Sequence, residues 1–286
     1  MSESSVFATW ESAVAWLRTQ PDQRDLVIDA YYDDPLPAAA HRYWQSAEWQ
    51  AVRTHLPNPA NAHALDVGAG RGIASYALAR EGFAVTALEP DPSALVGAQA
   101  IRQLAGEAGL PITVTEEFSE RLPFPDADFD VVFARAVLHH TTDLAAACHE
   151  FFRVLKPGGS LIAVREHVIS RDADLPAFLE LHPLHKLYGG ENAFRLDAYT
   201  TALQAAGFQL QRVLAPLRSP INFAPQTTRT LQDEVARRLS RGLPGLARLL
   251  GVALRLPSVW ASLLPVLERV DHRPGRLYSF IARKPT

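Results

Sequence analysis

Apolar and polar positions along this chain follow two rhythms that take turns. Between residues 63 and 164, short apolar runs alternate with longer stretches whose apolar positions recur every three or four residues. The runs His63–Val67, Ala84–Leu88, Ile112–Thr115, Phe129–Ala134 and Ser160–Val164 predict strands, and Ile73–Arg80, Ser93–Leu104 and Leu144–Leu155 predict helices. Such alternation predicts a parallel sheet covered by helices on both faces. Residues 6–57 read as helical, with Trp10, Trp16, Tyr31, Tyr32, Tyr43, Trp44 and Trp49 interleaved, until Pro57-Asn58-Pro59 stops the pattern. Two further strands, Phe208–Leu214 and Arg276–Arg283, bracket a helical insert. Three regions are therefore expected: an N-terminal helical region (1–57) whose aromatic residues are expected in the core, an α/β domain (58–224 with 276–286) and an insert (225–275).

The insert has its own pattern. Leu231, Val235, Leu239 and Leu243 recur every four residues, as in an amphipathic helix. In Gly245–Leu256 leucine and valine cover most faces, while Arg248 and Arg255 share one stripe. A helix this apolar is expected to be buried in the protein or in a subunit contact. The other reading is a wall for a hydrophobic acceptor, or a peripheral membrane contact in which Arg meets anionic head groups.

Composition narrows the class. With 286 residues, 48% hydrophobic and 21% charged, the chain can bury a sizeable core, which excludes a disordered or disulfide-stapled protein. The net charge of −3 conceals an asymmetry, since residues 212–286 carry 13 Lys and Arg against 4 Asp and Glu. A single cysteine, Cys148, fits a reducing compartment. No basic segment followed by an apolar one opens the chain, and the apolar stretch from Gly242 to Val266 is broken by Arg248, Arg255 and three prolines. A cytoplasmic protein is expected.

Candidate chemistry starts at Leu65-Asp66-Val67-Gly68-Ala69-Gly70-Arg71-Gly72, where an apolar strand ends in an acid and three alternating glycines lead into a helix. Glycine there permits a tight turn and lets backbone N–H groups approach a ligand. A dinucleotide fingerprint would need glycine at position 73, where Ile73 stands, so a nicotinamide oxidoreductase is disfavoured. Glu89 ends the second strand, 17 residues past Gly72, where a carboxylate can accept both ribose hydroxyls of a nucleoside.

With Leu122-Pro123-Phe124-Pro125-Asp126-Ala127-Asp128-Phe129-Asp130-Val131-Val132, Val137-Leu138-His139-His140 and Arg153-Val154-Leu155-Lys156-Pro157-Gly158-Gly159 in that order, the chain resembles the class I S-adenosylmethionine-dependent methyltransferases. The resemblance is to their ubiquinone-biosynthesis-like small-molecule group and covers about residues 60–166. It implies a Rossmann-like, seven-stranded, mostly parallel sheet whose last strand is antiparallel, with the N-terminal helices as a lid. It also implies S-adenosylmethionine as cofactor and a small-molecule acceptor methylated on oxygen or nitrogen. By that resemblance Asp66, Gly68, Gly70 and Gly72 shape the pocket for the methionyl part, Glu89 holds the ribose, and Pro90 and Asp91 lie beside the adenine. The family's usual adenine-reading acid is replaced by Phe118, which could contact the base face instead. Ala134 and Arg135 follow the fourth strand at the crevice.

Methyl transfer chiefly needs alignment, with a general base where the acceptor is a hydroxyl or a protonated amine. His139, His167, His182 and His185 are the candidate bases. Tyr32, Tyr43, Arg165, Tyr188 and Glu191 are candidate acceptor contacts. His167, His182 and His185 with Glu166 or Glu191 would suit a divalent ion, but His182-x-x-His185 matches no metal signature, so a polar substrate pocket and no metal are expected. No nucleic-acid acceptor is expected either, since the catalytic half is acidic and no Asn/Asp-Pro-Pro-Tyr motif occurs. A non-catalytic cofactor-binding module and a lipid-linked acceptor remain open, and the oligomeric state is not legible.

Overall fold

The computed structural model describes residues 7–241 and 243–286. Four helices come first: α1 (Trp10–Leu17), α2 (Arg24–Asp29), α3 (Leu36–Gln45) and α4 (Ala47–Arg53). Helix α1 starts at a reciprocal cap, in which the Ser12 N–H donates to Thr9 Oγ1 at 3.1 Å and the Thr9 N–H donates to Ser12 Oγ at 3.3 Å. The sheet region follows as β1 (His63–Val67), α5 (Ile73–Glu81), β2 (Ala84–Leu88), α6 (Ala98–Ala108), β3 (Ile112–Thr115), β4 (Phe129–Arg135), α7 (Leu144–Val154) and β5 (Leu155–Ile169). Then come α8 (Leu175–Leu181), α9 (His185–Tyr188), β6 (Phe194–Arg195), α10 (Leu196–Ala205), β7 (Gln209–Leu214) and α11 (Pro220–Phe223). The insert holds α12 (Thr228–Leu239), α13 (Pro244–Leu254) and α14 (Pro257–Val270), and β8 (Arg276–Arg283) closes the fold.

The strands lie in the order β3-β2-β1-β4-β5-β8-β7, with the two-residue β6 beside the far end of β5 as an eighth. Only β8 runs antiparallel to its neighbours. Alternate residues of the central strands feed opposite faces, as the pleat requires. Leu65, Val132, Leu161 and Ala163 pack with Cys148, Phe151 and Leu203 on one side. Ala64, Val131, Phe133 and Ile162 pack with Tyr43, Trp49, Val52 and Leu78 on the other. The order reverses between β1 and β4, which opens a crevice at their carboxyl ends.

Some boundaries differ from the sequence reading for local reasons. The helix expected from Ser93 starts at Ala98, because the chain first closes a loop in which the Ala98 N–H donates to the Asp91 carbonyl at 2.7 Å. Strand β5 is far longer than Ser160–Val164. It runs past a register shift between Ala163 and Glu166 against β8, where β5 carries one extra residue and Arg165 adopts a φ of +62°. The aromatic N-terminal region divides in its packing: Tyr43 and Trp49 are core, whereas α1 lies outside the two main clusters.

The insert forms a small core of its own from Leu231, Val235, Ala236 and Leu254. The expected four-residue stripe breaks there, since Leu239 and Leu243 are exposed. Leu249, at 71% exposure, and Val252, at 59%, also face outward, so α13 is not buried as its composition suggested. Among the described residues no single helix is long and apolar enough to cross a membrane, and α13 and α14 meet at a bend of 107°. Gly242 lies outside the described residues.

Candidate active site

The loop after β1 is held by the crevice itself. Its three glycines serve different ends. A Cβ on Gly68 would lie 2.8 Å from Val137 Cγ2, and one on Gly72 3.1 Å from Ile101 Cγ2, so both are small to permit packing. A Cβ on Gly70 would point into open space, its nearest neighbour the Val96 carbonyl at 4.0 Å. The Gly70 N–H donates to Glu89 Oε2 at 2.6 Å and the Asp91 N–H to Glu89 Oε1 at 3.0 Å. Burial raises the Glu89 carboxyl above its ordinary value, while these two donors favour its charge. The Glu89 N–H in turn donates to the Thr115 carbonyl at 3.0 Å, which brings the end of β3 alongside. Pro90 and Asp91 border the same loop, and Phe118, 65% exposed, stands just beyond β3.

This arrangement fits the ribose and methionyl ends of a nucleoside cofactor. It offers a cradle that only a glycine at position 70 leaves open, and a buried carboxylate with lone pairs to spare. Replacing Glu89 by Ala is expected to weaken S-adenosylmethionine binding by about 1.5–3 kcal/mol, the range for hydrogen bonds to a charged group. Titration calorimetry showing a change below about 0.5 kcal/mol would remove Glu89 from the site.

Asp66, fully buried at the end of β1, accepts from Ser75 Oγ at 2.5 Å. Burial, assisted by the nearby Glu89, pushes its carboxyl up to about 7. An unfolded aspartate ionises near 3.9. Between those values the unfolded chain loses the proton and the folded chain keeps it, so stability falls as pH rises through that window and then levels. Ligand-free Asp66→Asn is therefore expected to gain about 3–4 kcal/mol on the parent between pH 4 and pH 8, since each unit of the shift is worth about 1.4 kcal/mol and the amide cannot ionise. Thermal unfolding across that range checks this. A pH-independent difference would mean that Asp66 is ionised throughout.

Across the crevice lies a second group. After β4 the chain passes Ala136, with a φ of +59°, into a 3₁₀ turn at Leu138–His140. Glu166, beyond the β5 bulge and with no exposed surface, accepts from the Val137 N–H at 3.1 Å, the His139 N–H at 3.1 Å and His139 Nδ1 at 2.7 Å. Burial opposes a charge on His139, yet Glu166 and Glu191 together hold its imidazolium, with a pKa of about 9. His167 is driven the other way, to about 3, by burial and by the charge on His139. Its Nδ1 donates to the Gly275 carbonyl at 3.0 Å. The imidazole rings of His139 and His167 lie 4.7 Å apart, those of His167 and His182 5.2 Å.

Glu191 is the hub of this group. Its Oε2 lies 3.6 Å from His139 Nε2 and 3.8 Å from His140 Nε2, and its Oε1 3.7 Å from His182 Nδ1. His185 Nδ1 is buried without a partner. Helix α1 roofs the cluster: Trp10 stacks edge-on to Tyr32 at 5.7 Å and packs against Tyr188 at 5.8 Å, and the Phe7 N–H donates to the Leu187 carbonyl at 3.1 Å. The same helix reaches the cofactor loop through Glu11 Oε1, which accepts from the Leu95 N–H at 3.3 Å. Burial and the nearby Glu191 charge push the Tyr32 hydroxyl up to about 12.

Two expected acceptor contacts and two expected cofactor contacts are elsewhere. Tyr43 has no exposed surface, and its hydroxyl donates to Glu48 Oε1 at 3.3 Å. The Arg165 guanidinium donates to the Ile221 and Ala224 carbonyls at 3.0 and 3.1 Å and lies 3.5 Å from Glu48. Arg135 binds Glu48 through two nitrogens, at 2.6 and 3.0 Å, and Ala134 is buried in the sheet. Tyr43, Arg165 and Arg135 thus belong to one buried ion cluster beneath the crevice rather than to its open surface.

Sequence reasoning missed Glu48 and Arg71, and weighed Glu166 only as a metal ligand beside His167. Arg71, also buried, donates to the Tyr31 and Asp33 carbonyls at 3.0 Å each and to Asp34 at 2.7 Å. The identity of Glu166 as the acid next to a candidate histidine was the one available signal. A separate cavity of about 650 Å³ lies between the insert and the start of β8, lined by Phe223, Leu231, Val235, Leu267, Gly275 and Arg276 among others.

Comparison with known proteins bears on this geometry. Residues 65–163 match a family model described as a methyltransferase domain. The chain is 28% identical over 219 residues to the O-methyltransferase resE of Aspergillus sclerotiorum, covering 73% of this chain and 79% of the relative. It is 39% identical over 99 residues to a ubiquinone biosynthesis O-methyltransferase of Methylobacterium nodulans, but that match spans 35% of this chain and 39% of the relative's length. Among solved structures, an S-adenosylmethionine dependent methyltransferase from Mesorhizobium loti overlays with a TM-score of 0.53 at 20% identity, covering 84% of this chain and 99% of the other. The cyclase SpnF overlays with a TM-score of 0.55 at 25% identity, covering 87% and 82%.

Proposed function

The chain is a class I S-adenosylmethionine-dependent methyltransferase, and from that premise we propose that it methylates an oxygen or nitrogen of a small-molecule acceptor bound between the Gly70 opening and the histidine–Glu191 cluster. The observation that carries this reading is the contact of Gly68 with Val137, which sets the cofactor loop directly beside the turn that bears His139. When bound, S-adenosylmethionine supplies a methyl group activated by its sulfonium. Gly68, Gly70 and Gly72 give the methionyl part a close backbone, Glu89 takes the ribose hydroxyls, and Pro90, Asp91 and Phe118 flank the base. Asp66 lies beneath the loop as its buried acid. On the acceptor side, His139 is locked in place by Glu166, while His167 Nε2, His182, His185 and Glu191 offer lone pairs to the departing proton. Tyr32 and Tyr188 line the roof. Helix α1 excludes water from both halves, which favours the in-line geometry that methyl transfer needs.

Incubation with S-adenosylmethionine and a panel of phenols, alcohols and amines tests this. Release of S-adenosylhomocysteine with at least one acceptor is expected. Cofactor binding without turnover across the panel would favour a non-methylating use of the same pocket.

A second reading is favoured by the exposed apolar face of the insert, where Leu243, Leu249, Val252, Leu256, Val266 and Val270 are all more than half exposed beside Arg248 and Arg255. On this reading the acceptor is lipid-linked and met at an anionic membrane surface. Flotation with vesicles containing phosphatidylglycerol, and none with phosphatidylcholine alone, is the expected outcome. Equal recovery with both compositions would remove the electrostatic part of this reading.

A further inference from the structure

We propose that His139, His167 and Glu191 form a binding site for one divalent transition-metal ion, with His182 as a fourth ligand. Three separate pieces of chain meet here: the turn after β4, β5 beyond its bulge, and the segment after α9. This dispersal is why no ligand spacing shows in the sequence. The ligand atoms of His139, His167 and Glu191 all lie within 4.8 Å of one another.

The second layer argues most strongly for an ion. His139 Nδ1 faces the Glu166 carboxylate at 2.7 Å, and His167 Nδ1 faces the Gly275 carbonyl at 3.0 Å. Both partners are acceptors, so both Nδ1 atoms carry the proton, and Nε2 of each ring is the atom left to bind. A carboxylate or a backbone carbonyl behind each imidazole is how proteins fix the tautomer and orientation of ligating histidines.

The spacing within the cluster agrees. Glu191 oxygens stand 3.6 Å from His139 Nε2 and 3.7 Å from His182 Nδ1, too far for direct hydrogen bonds. Four donors at about 2.0–2.1 Å around a tetrahedral ion are separated by roughly 3.3 Å, so the three atoms now within 4.8 Å of one another must draw in by up to about 1.5 Å, and His182, outside that set, must turn in further. Glu191 Oε2 and His182 Nδ1 are moreover buried and without a hydrogen-bond partner, a cost that a cation would remove. Imidazole nitrogens with one carboxylate select ions of the zinc, iron or cobalt kind over magnesium or calcium. On binding, His139 Nε2 gives up its proton to solvent and the ion takes the lone pair. If the methyl-transfer reading holds, an acceptor hydroxyl bound to this ion would lose its proton more readily, leaving an oxygen nucleophile. The site itself does not depend on that use.

The full chain, stripped with chelator, reloaded with zinc or cobalt and dialysed, tests this directly. One ion per chain by elemental analysis is expected, with visible cobalt absorption of a four- or five-coordinate centre. His167→Gln and Glu191→Gln should each lower zinc affinity by at least about tenfold. Both should keep S-adenosylhomocysteine affinity within about threefold of the parent, which shows that they fold. Dialysed protein free of zinc and cobalt would overturn the proposal, leaving a cluster that holds water only. Full metal binding in both variants would also overturn it, by placing the ion elsewhere. Neither readout uses turnover, so an absence of methyl transfer would count against the proposed activity alone.

Discussion

Gly70→Val is expected to lose S-adenosylmethionine binding by roughly a thousandfold, about 4 kcal/mol, while remaining folded. A branched Cβ at this position enters the one part of the loop that the protein leaves open, with nothing nearer than 4.0 Å. Its cost to the fold is separate. Gly70 has a φ of +55°, and a residue with a side chain placed there loses about 1–2 kcal/mol. Gly70→Ala pays the same backbone penalty with less bulk, so its affinity should fall between the two. Gly68→Ala supplies the contrast, because its Cβ collides with Val137 and the loss should appear in stability. Calorimetric titration beside thermal unfolding separates the two effects. Unchanged affinity in folded Gly70→Val would move the cofactor away from this loop.

Glu48→Ala is expected to destabilise the whole domain by about 3–5 kcal/mol, the range for breaking a buried ion pair from one side. Glu48 is 1% exposed and answers three groups: Arg135 at 2.6 and 3.0 Å, Arg165 at 3.5 Å, and the Tyr43 hydroxyl at 3.3 Å. The Arg135 guanidinium also packs over the rings of Tyr31 and Tyr43, 5.8 and 5.3 Å from their centroids. Without Glu48, two buried guanidinium groups keep their charge and face each other across the ends of β4 and β5 without a counter-ion. Urea unfolding measures this. A loss under about 1 kcal/mol would show that water or a rearranged carboxylate replaces Glu48.

The sheet was legible because its strands are continuous apolar runs ended by glycine or acid, and those signals are local. The loop proposed for the cofactor could be located for the same reason: Asp66, Gly70 and Glu89 sit at strand ends, and a strand end can be counted from the sequence. The acceptor side was legible only as a collection of residue types. Tyr43 and Arg165 looked like surface chemistry because nothing in the sequence says that Glu48, on a helix before the first strand, waits beneath them. His139 and His167 looked like interchangeable bases, yet Glu166 and Glu191 hold His139 charged, while burial beside that charge keeps His167 neutral. The apolar α13 suggested burial. Its Leu250 and Leu254 do turn into the insert's small core beside α12 and α14, but Leu246, Leu249 and Val252 stay exposed.

The extra residue in β5 has a consequence for how such a protein changes over evolutionary time. Upstream of it, the odd and even positions of the strand are committed to the two faces of the sheet, and hence to the half that holds the cofactor loop. Downstream, the parity is reset, so Glu166 joins the face that Arg165 would otherwise occupy. A lineage that gained or lost this one residue would exchange the inward and outward side chains of the acceptor wall in a single step. The glycine loop would feel the change through Val137, whose side chain meets Gly68 and whose N–H Glu166 holds. On the proposed function, divergence in the acceptor can then proceed by insertion and deletion at one strand position.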